Sequence, residues 1–266
     1  MKYFIFITFI STLIFYYFNF QFLKFFLRMS FKEKETKKVE KNLRITLAKK
    51  ISKHYRNISE SYIMKCFDRY PNVVISYRKK EIKGCYFFSE FQEEGASYYY
   101  LGPTFFLDKL SLSSTYFHSF LQAINKKEQT FFMAELQNPE LIMHIHYAFP
   151  KSVFPQAKTF YVSERAKEAL SKFSKKITQL DELDMKSFKS KGNSSLYYPS
   201  KKKHLVSDWL ENNNIYLNQN ESLILIFDLD TRALREFKKR LIYGLLTYPS
   251  HKTKYIKDLQ EFLSHA

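Results

Sequence analysis

Between Asn72 and Phe106 three apolar runs are separated by two short charged turns, and this pattern constrains the fold more than any other feature. Asn72–Tyr77, Ile82–Phe91 and Ser97–Phe106 have the length and the aromatic and β-branched content of strands. The turns Arg78-Lys79-Lys80-Glu81 and Gln92-Glu93-Glu94-Gly95 are short enough only to send the chain straight back on itself. The segment therefore reads as an antiparallel meander. Gly102-Pro103 marks a bulge or an end within its third strand.

Helical periodicity flanks the meander. Leu43–Leu47 alternates like a short strand, and Ile51–Phe67 repeats its apolar residues every three or four positions. After the meander, Tyr116–Asn125 reads as a helix capped by Ser113 or Ser114. Thr130–Leu136 reads as a strand buried on both faces, and a helix runs from Pro139, behind Asn138, to about Phe149. Further on, Ser163–Lys176 is helical and Gln179–Lys203 is a polar loop region. Ser222–Asp228 is a central strand, and Thr231–Leu246 and Lys252–Ser264 are helices. The fold class is α+β: a mixed, mostly antiparallel central sheet flanked by helices and preceded by an N-terminal hydrophobic helix.

That leading segment is Tyr3–Leu23, 21 residues without a charge, long enough to span a hydrocarbon core. Ten Lys/Arg lie between Lys24 and Lys50, which leaves the body cytoplasmic by the positive-inside rule. The expectation is a single-pass membrane protein. A cleaved signal peptide, an interfacial helix and a soluble, cytoplasmic chain starting at Met29 are the alternatives. The domain plan is a membrane-anchor helix at 1–28, a basic linker at 29–42, an α/β core at 43–160 and a C-terminal α/β extension at 161–266 packing on that core.

Lys2, Lys24 and Arg28 are the only charges in residues 1–28, so the body keeps +14 of the formal +17. Such a body attracts anionic lipid, nucleic acid or a phosphate-bearing cofactor, or it carries a solvated lysine-rich surface. Five glycines argue against folds built on glycine-rich loops, and there is no Walker loop, G-x-S-x-G elbow or H-E-x-x-H. Cys66 and Cys85 lack zinc spacing and read as buried thiols in a reducing compartment. His144 and His146 read as structural. Asp228 and Asp230 resemble a metal-binding pair, but Asp230 is better placed to cap the following helix. No metal site is expected.

The order of strand, helix, meander, helix, strand and helix over about residues 43–149 is similar to the core of the GNAT superfamily of acyl-CoA-dependent N-acyltransferases. The fourth-strand motif of that family, N-x-x-A-x-x-x-Y-x-x-x-G-F, is matched at Asn138 and, with one residue fewer before its last two positions, at Phe149. Leu141, Ile145 and Ala148 stand where Ala, the acid Tyr and Gly are usual. The glycines of the pyrophosphate loop are missing from Asp108–Thr115. The resemblance implies a cleft between two splayed parallel strands that holds acetyl-CoA or another acyl-CoA. Ser111, Ser113, Ser114, Thr115 and Asn138 would contact the cofactor, although the hydroxyls serve equally as helix caps. Glu135 would be the general base for an acceptor amine, or else a surface carboxylate paired with a lysine. Tyr147 lies near the missing acid. The alternative is a catalytically inactive module on the same scaffold. It would bind anionic lipid or nucleic acid through basic surfaces such as Lys201-Lys202-Lys203 and the 231–246 helix.

Overall fold

The computed structural model describes residues 29–107, 118, 119, 122, 129–149, 151–177, 183–191, 205–216, 219, 221–230, 232, 233 and 235, with Arg56 and Lys158 excepted. The described strands form one sheet. β1 is Met29–Glu35, β2 Asn72–Arg78, β3 Glu81–Glu93, β4 Ala96–Phe106 and β5 Gln129–Leu136. β6 is Val153–Phe154, β7 Leu183–Asp184, β8 Lys189–Lys191 and β9 Glu221–Leu229. The order across the sheet is β1-β2-β3-β4-β5-β9-β8-β7, with β6 also paired to β9.

The meander forms because each turn is a two-residue reversal. Arg78 pairs with Glu81 and Glu93 with Ala96, and Lys79, Lys80, Glu94 and Gly95 all adopt positive φ. Such turns match the twist of the strands they join. All pairings are antiparallel except β4 with β5. β9 is the central strand that its apolar run predicts, buried along Ser222–Phe227.

Helices cover both faces. α1 (Lys41–His54), α2 (Glu60–Arg69) and α4 (Glu164–Lys176) lie over one side, burying Leu47, Ile51, Phe67, Leu170 and Phe173 against Phe87, Tyr98 and Ile226. α3 (Pro139–Ala148) and α5 (Leu205–Asn212) lie over the other, where Ile142, Ile145 and Leu210 meet Phe132 and Phe227.

Four expectations are corrected. Leu43–Leu47 is not a strand but part of α1. Five residues fit a period of two, but the longer set Leu43, Leu47 and Ile51 lies on one helical face. The helix expected over Ile51–Phe67 is two helices, because Ser59 starts a new one by accepting the Tyr62 N–H at 3.1 Å. The basic linker at 29–42 instead supplies β1 and a 3-10 turn, Thr36–Lys38, before α1 begins. β1 is an edge strand, where alternating Lys and Glu are tolerated because only one flank is paired. The residues after 160 are not an extension laid on the core, since β9 runs beside β5 in the same sheet.

The N-terminal hydrophobic helix, with its membrane-anchor role, lies outside the described residues. So does the helix expected at Lys252–Ser264. Among the described residues, no helix is long and apolar enough to cross a membrane. Of the helices expected at Tyr116–Asn125 and Thr231–Leu246, the described members His118, Ser119, Gln122, Arg232, Ala233 and Arg235 are helical.

Candidate functional site

The parallel pair β4–β5 is zipped only over part of its length. Pairing runs from Ala96 opposite Gln129 to Leu101 opposite Ala134. β4 then continues to Phe106 and β5 to Leu136 without facing each other. A bulge causes the parting. Phe88 pairs with Leu101 and Tyr86 with Thr104, so Phe87 alone opposes both Gly102 and Pro103. An extra residue bends its strand, and proline offers no N–H for a ladder. The Tyr70 ring lies against Gly102 where a Cβ would be, so only glycine fits there.

The end of β4 that leaves β5 is held from α1. The Tyr55 hydroxyl accepts the Phe106 N–H at 3.0 Å and donates to the Phe106 carbonyl at 2.9 Å. β5 stays paired on its other flank, with Glu135 opposite Ile224 and Leu136 opposite Leu223. The opening is therefore a slot between two supported strands.

Glu135 sits where the strands part. Tyr100 donates its hydroxyl to Glu135 Oε1, and Ser190 donates to Oε2 at 2.7 Å. Tyr100 has one O–H and spends it on Glu135, so its hydrogen bond with Tyr70 is accepted from the Tyr70 hydroxyl. Burial first, and the Glu135 charge second, push both tyrosines well above the ordinary phenol range. Both remain neutral donors, and the chain Tyr70–Tyr100–Glu135 points its hydroxyls at one half-buried carboxylate. Glu135 is half-buried rather than an exposed surface carboxylate.

Asn138 is exposed and caps α3, its Oδ1 accepting the Leu141 N–H at 3.2 Å. Its side-chain oxygen is thus spent on the helix end. Ile145, at the position of the family's acid tyrosine, is buried against the sheet in the α3 core. Ser111, Ser113, Ser114 and Thr115 lie outside the described residues, as does the side chain of Tyr147. Tyr70, Tyr100 and Ser190 were not singled out by sequence. Ser190 belongs to β8, inside a stretch whose polarity marks it as loop.

The other candidates resolve into structure. His146 is buried between the carbonyls of Ile142 at 3.0 Å and Pro155 at 2.9 Å, and burial lowers its pKa. Asp230 accepts the N–H groups of Arg232 and Ala233, the capping role expected of it. Asp228 instead accepts from Gln129 and faces Arg165 at 3.3 Å. Among the described residues no group of three metal-ligating side chains comes together. Cys66 and Cys85 are free and buried, and burial pushes the Cys66 thiol up to about 12.

No family model matches the chain, and no curated protein is similar to it. Similar solved structures include an aminoglycoside acetyltransferase from an uncultured soil metagenomic sample, at 11% identity and a TM-score of 0.27. The match covers 35% of this chain and 70% of that one. Another is N-acetylglutamate synthase from Neisseria gonorrhoeae complexed with coenzyme A and N-acetyl-glutamate, at 10% identity and a TM-score of 0.30. That match covers 56% of this chain and 33% of the synthase, so the chain spans about a third of the synthase's length. Both neighbours are GNAT acetyltransferases.

Proposed function

We propose that this chain is an acyl-CoA-dependent acyltransferase that transfers an acyl group to an amine, with its body held at the cytoplasmic face of a membrane by residues 3–23. One observation carries the reading: parallel strands β4 and β5 separate at a bulge, and the carboxylate of Glu135 stands at the separation.

The slot fits an extended ligand. Beyond Leu101 no described strand lies beside the β4 main chain on the β5 flank, so a ligand bearing amide groups can lie along it as an added strand would. An acyl-CoA bound there supplies a thioester carbonyl with a thiolate leaving group. Glu135 takes a proton from the acceptor's ammonium group, and the amine so formed attacks the thioester carbonyl; the C–N bond forms, the C–S bond breaks, and the second proton shed by the nitrogen ends on the departing CoA thiolate. Tyr100 and Ser190 each donate to one oxygen of the carboxylate. Those two donors fix the orientation of the carboxylate. Tyr70 holds Tyr100 in turn, so the base is positioned by a buried relay rather than by a flexible side chain.

The test is titration calorimetry of acetyl-CoA into the full chain. Saturable one-site binding that dephospho-CoA or free CoA competes away supports the proposal, and an absence of binding by any acyl-CoA overturns it. A slot that binds acyl-CoA without turnover is the second reading. The buried Ile145 in place of an acid favours it. Release of free thiol in the presence of primary amines separates the two.

A further inference from the structure

The end of the sheet at which the strands part also carries a cluster of cations. β3 starts where β4 finishes, Gly84 lying opposite Phe106, and the β2–β3 turn projects just beyond. Arg78, Lys79, Lys80 and Lys83 line that hairpin. Lys32 of β1 reaches over the Tyr77 ring at 5.4 Å from its centroid. Lys50 of α1 completes the group. Glu81 is the only carboxylate between Arg78 and Lys83. Lys83 holds its carboxyl below the ordinary range, with Lys50 and Lys79 adding to the effect, which shows that these cations share one spot. Of the acids of β1, Glu33 follows Lys32 directly and meets Gln122, and Glu35 lies at the opposite end, across from Asn72.

Two further facts say what this surface meets. Met29, the first residue of β1, pairs with Arg78 at the hairpin end. The uncharged run ends at Leu23, and the chain from there to Met29 can reach at most roughly 20 Å. A bilayer that takes up residues 3–23 therefore has its headgroups within reach of the hairpin. Second, both turn positions hold lysine at positive φ, 49° at Lys79 and 69° at Lys80. Asn-Gly suits such a turn far better, so the fold alone does not ask for lysine there.

We propose that the β2–β3 hairpin, with Lys32 and Lys50, docks on the anionic headgroups of the bilayer that residues 3–23 enter, so that the β4–β5 slot opens toward the membrane surface. The placement rests on the tether in the functional reading. The contact itself rests on the cations and is measured without acyl-CoA, so failure of acyl-CoA binding would leave the outcome below unaffected.

The experiment uses the full chain with Glu81→Cys carrying a polarity-sensitive fluorophore. Cys66 and Cys85 are buried, so the label goes to the hairpin. Emission is compared on vesicles of phosphatidylcholine alone and of phosphatidylcholine mixed equally with phosphatidylglycerol. The expected result is a blue shift on the anionic vesicles only, reversed by high salt. The double variant Lys79→Asn/Lys80→Gly removes two charges and gives the turn its preferred residues. It should keep or raise the melting temperature while weakening the lipid-dependent shift about 30-fold, each lysine near a charged surface contributing roughly a five-fold effect. The same emission on both vesicles, or an undiminished shift in the double variant, overturns the proposal. A shift produced by duplex DNA or RNA but not by anionic vesicles also overturns it.

Discussion

Ser190 of β8 donates its hydroxyl to Glu135 of β5 at 2.7 Å, across 55 residues of chain. The pairing of β8 with β9 and of β9 with β5 sets this contact, since Ser190 lies opposite Ser222 and Glu135 opposite Ile224. The proposed base is thus oriented from the far side of the sheet. Glu135→Gln should lower the acyl-transfer rate by about 100- to 10,000-fold while leaving acetyl-CoA binding intact. Ser190→Ala should keep the base but loosen it. The expected signs are a shifted pH–rate profile and a loss of about 1–2 kcal/mol in urea unfolding. Steady-state kinetics across pH, paired with calorimetry on each variant, checks both.

Gly102 controls the bulge, and the Tyr70 ring fills the space a Cβ would need. Gly102→Ala should destabilise the protein by about 1–3 kcal/mol through overpacking. Tyr70→Leu removes the obstructing ring, so the double variant should recover part of that loss. A double-mutant cycle by denaturant unfolding tests the coupling, and purely additive effects would refute it.

The thiols offer a direct probe of packing. Cys66 and Cys85 are both buried, with the Cys66 pKa at about 12, so at mildly alkaline pH neither presents a thiolate. Native protein should resist a disulfide-exchange reagent, and two equivalents should react in denaturant. Rapid reaction of either thiol in the native state would contradict the packing around α2 and β3.

Asp228 sets a pH dependence of stability. Burial raises its carboxyl above the ordinary 3.8, with Arg165 and Gln129 partly offsetting the rise. A group that holds its proton more tightly when folded adds stability below the unfolded pKa. That contribution is lost as pH climbs through the folded value. Asp228→Asn should therefore flatten the fall in stability just above pH 3.8, as read from melting temperatures over an acid-to-neutral series. An unchanged slope would place Asp228 in a more hydrated setting than its 16% side-chain exposure implies.

The interior of the fold was legible because its strands carry their own signal. The meander, β5 and β9 sit within a residue or two of their apolar runs, and α3 begins at the proline that marks it. What escaped was written in polar residues. β1 reads Met-Ser-Phe-Lys-Glu-Lys-Glu, whose charges suit an edge but resemble a linker. β8 is three residues long and gains its identity from pairing with β7 and β9. The site divided the same way. Glu135 stood out because it ends a strand, whereas Tyr70, Tyr100 and Ser190 are defined by contacts between distant segments. No local pattern encodes such contacts. Ser111, Ser113, Ser114, Thr115 and the Tyr147 side chain stay expectations of the family likeness alone.

β9 is the last of the described strands yet lies inside the sheet, flanked by β5 on one side and by β8 and β6 on the other. During synthesis the first five strands can assemble as they leave the ribosome, but β5 then shows a bare apolar flank until residue 221 and beyond emerge. A nascent chain stalled before that point exposes the row Phe131, Met133 and Ala134 with nothing to hydrogen-bond it. Chaperone binding or self-association would be the natural fate of such a fragment. Truncations before residue 221, which remove β9, should thus yield insoluble product rather than a smaller working protein.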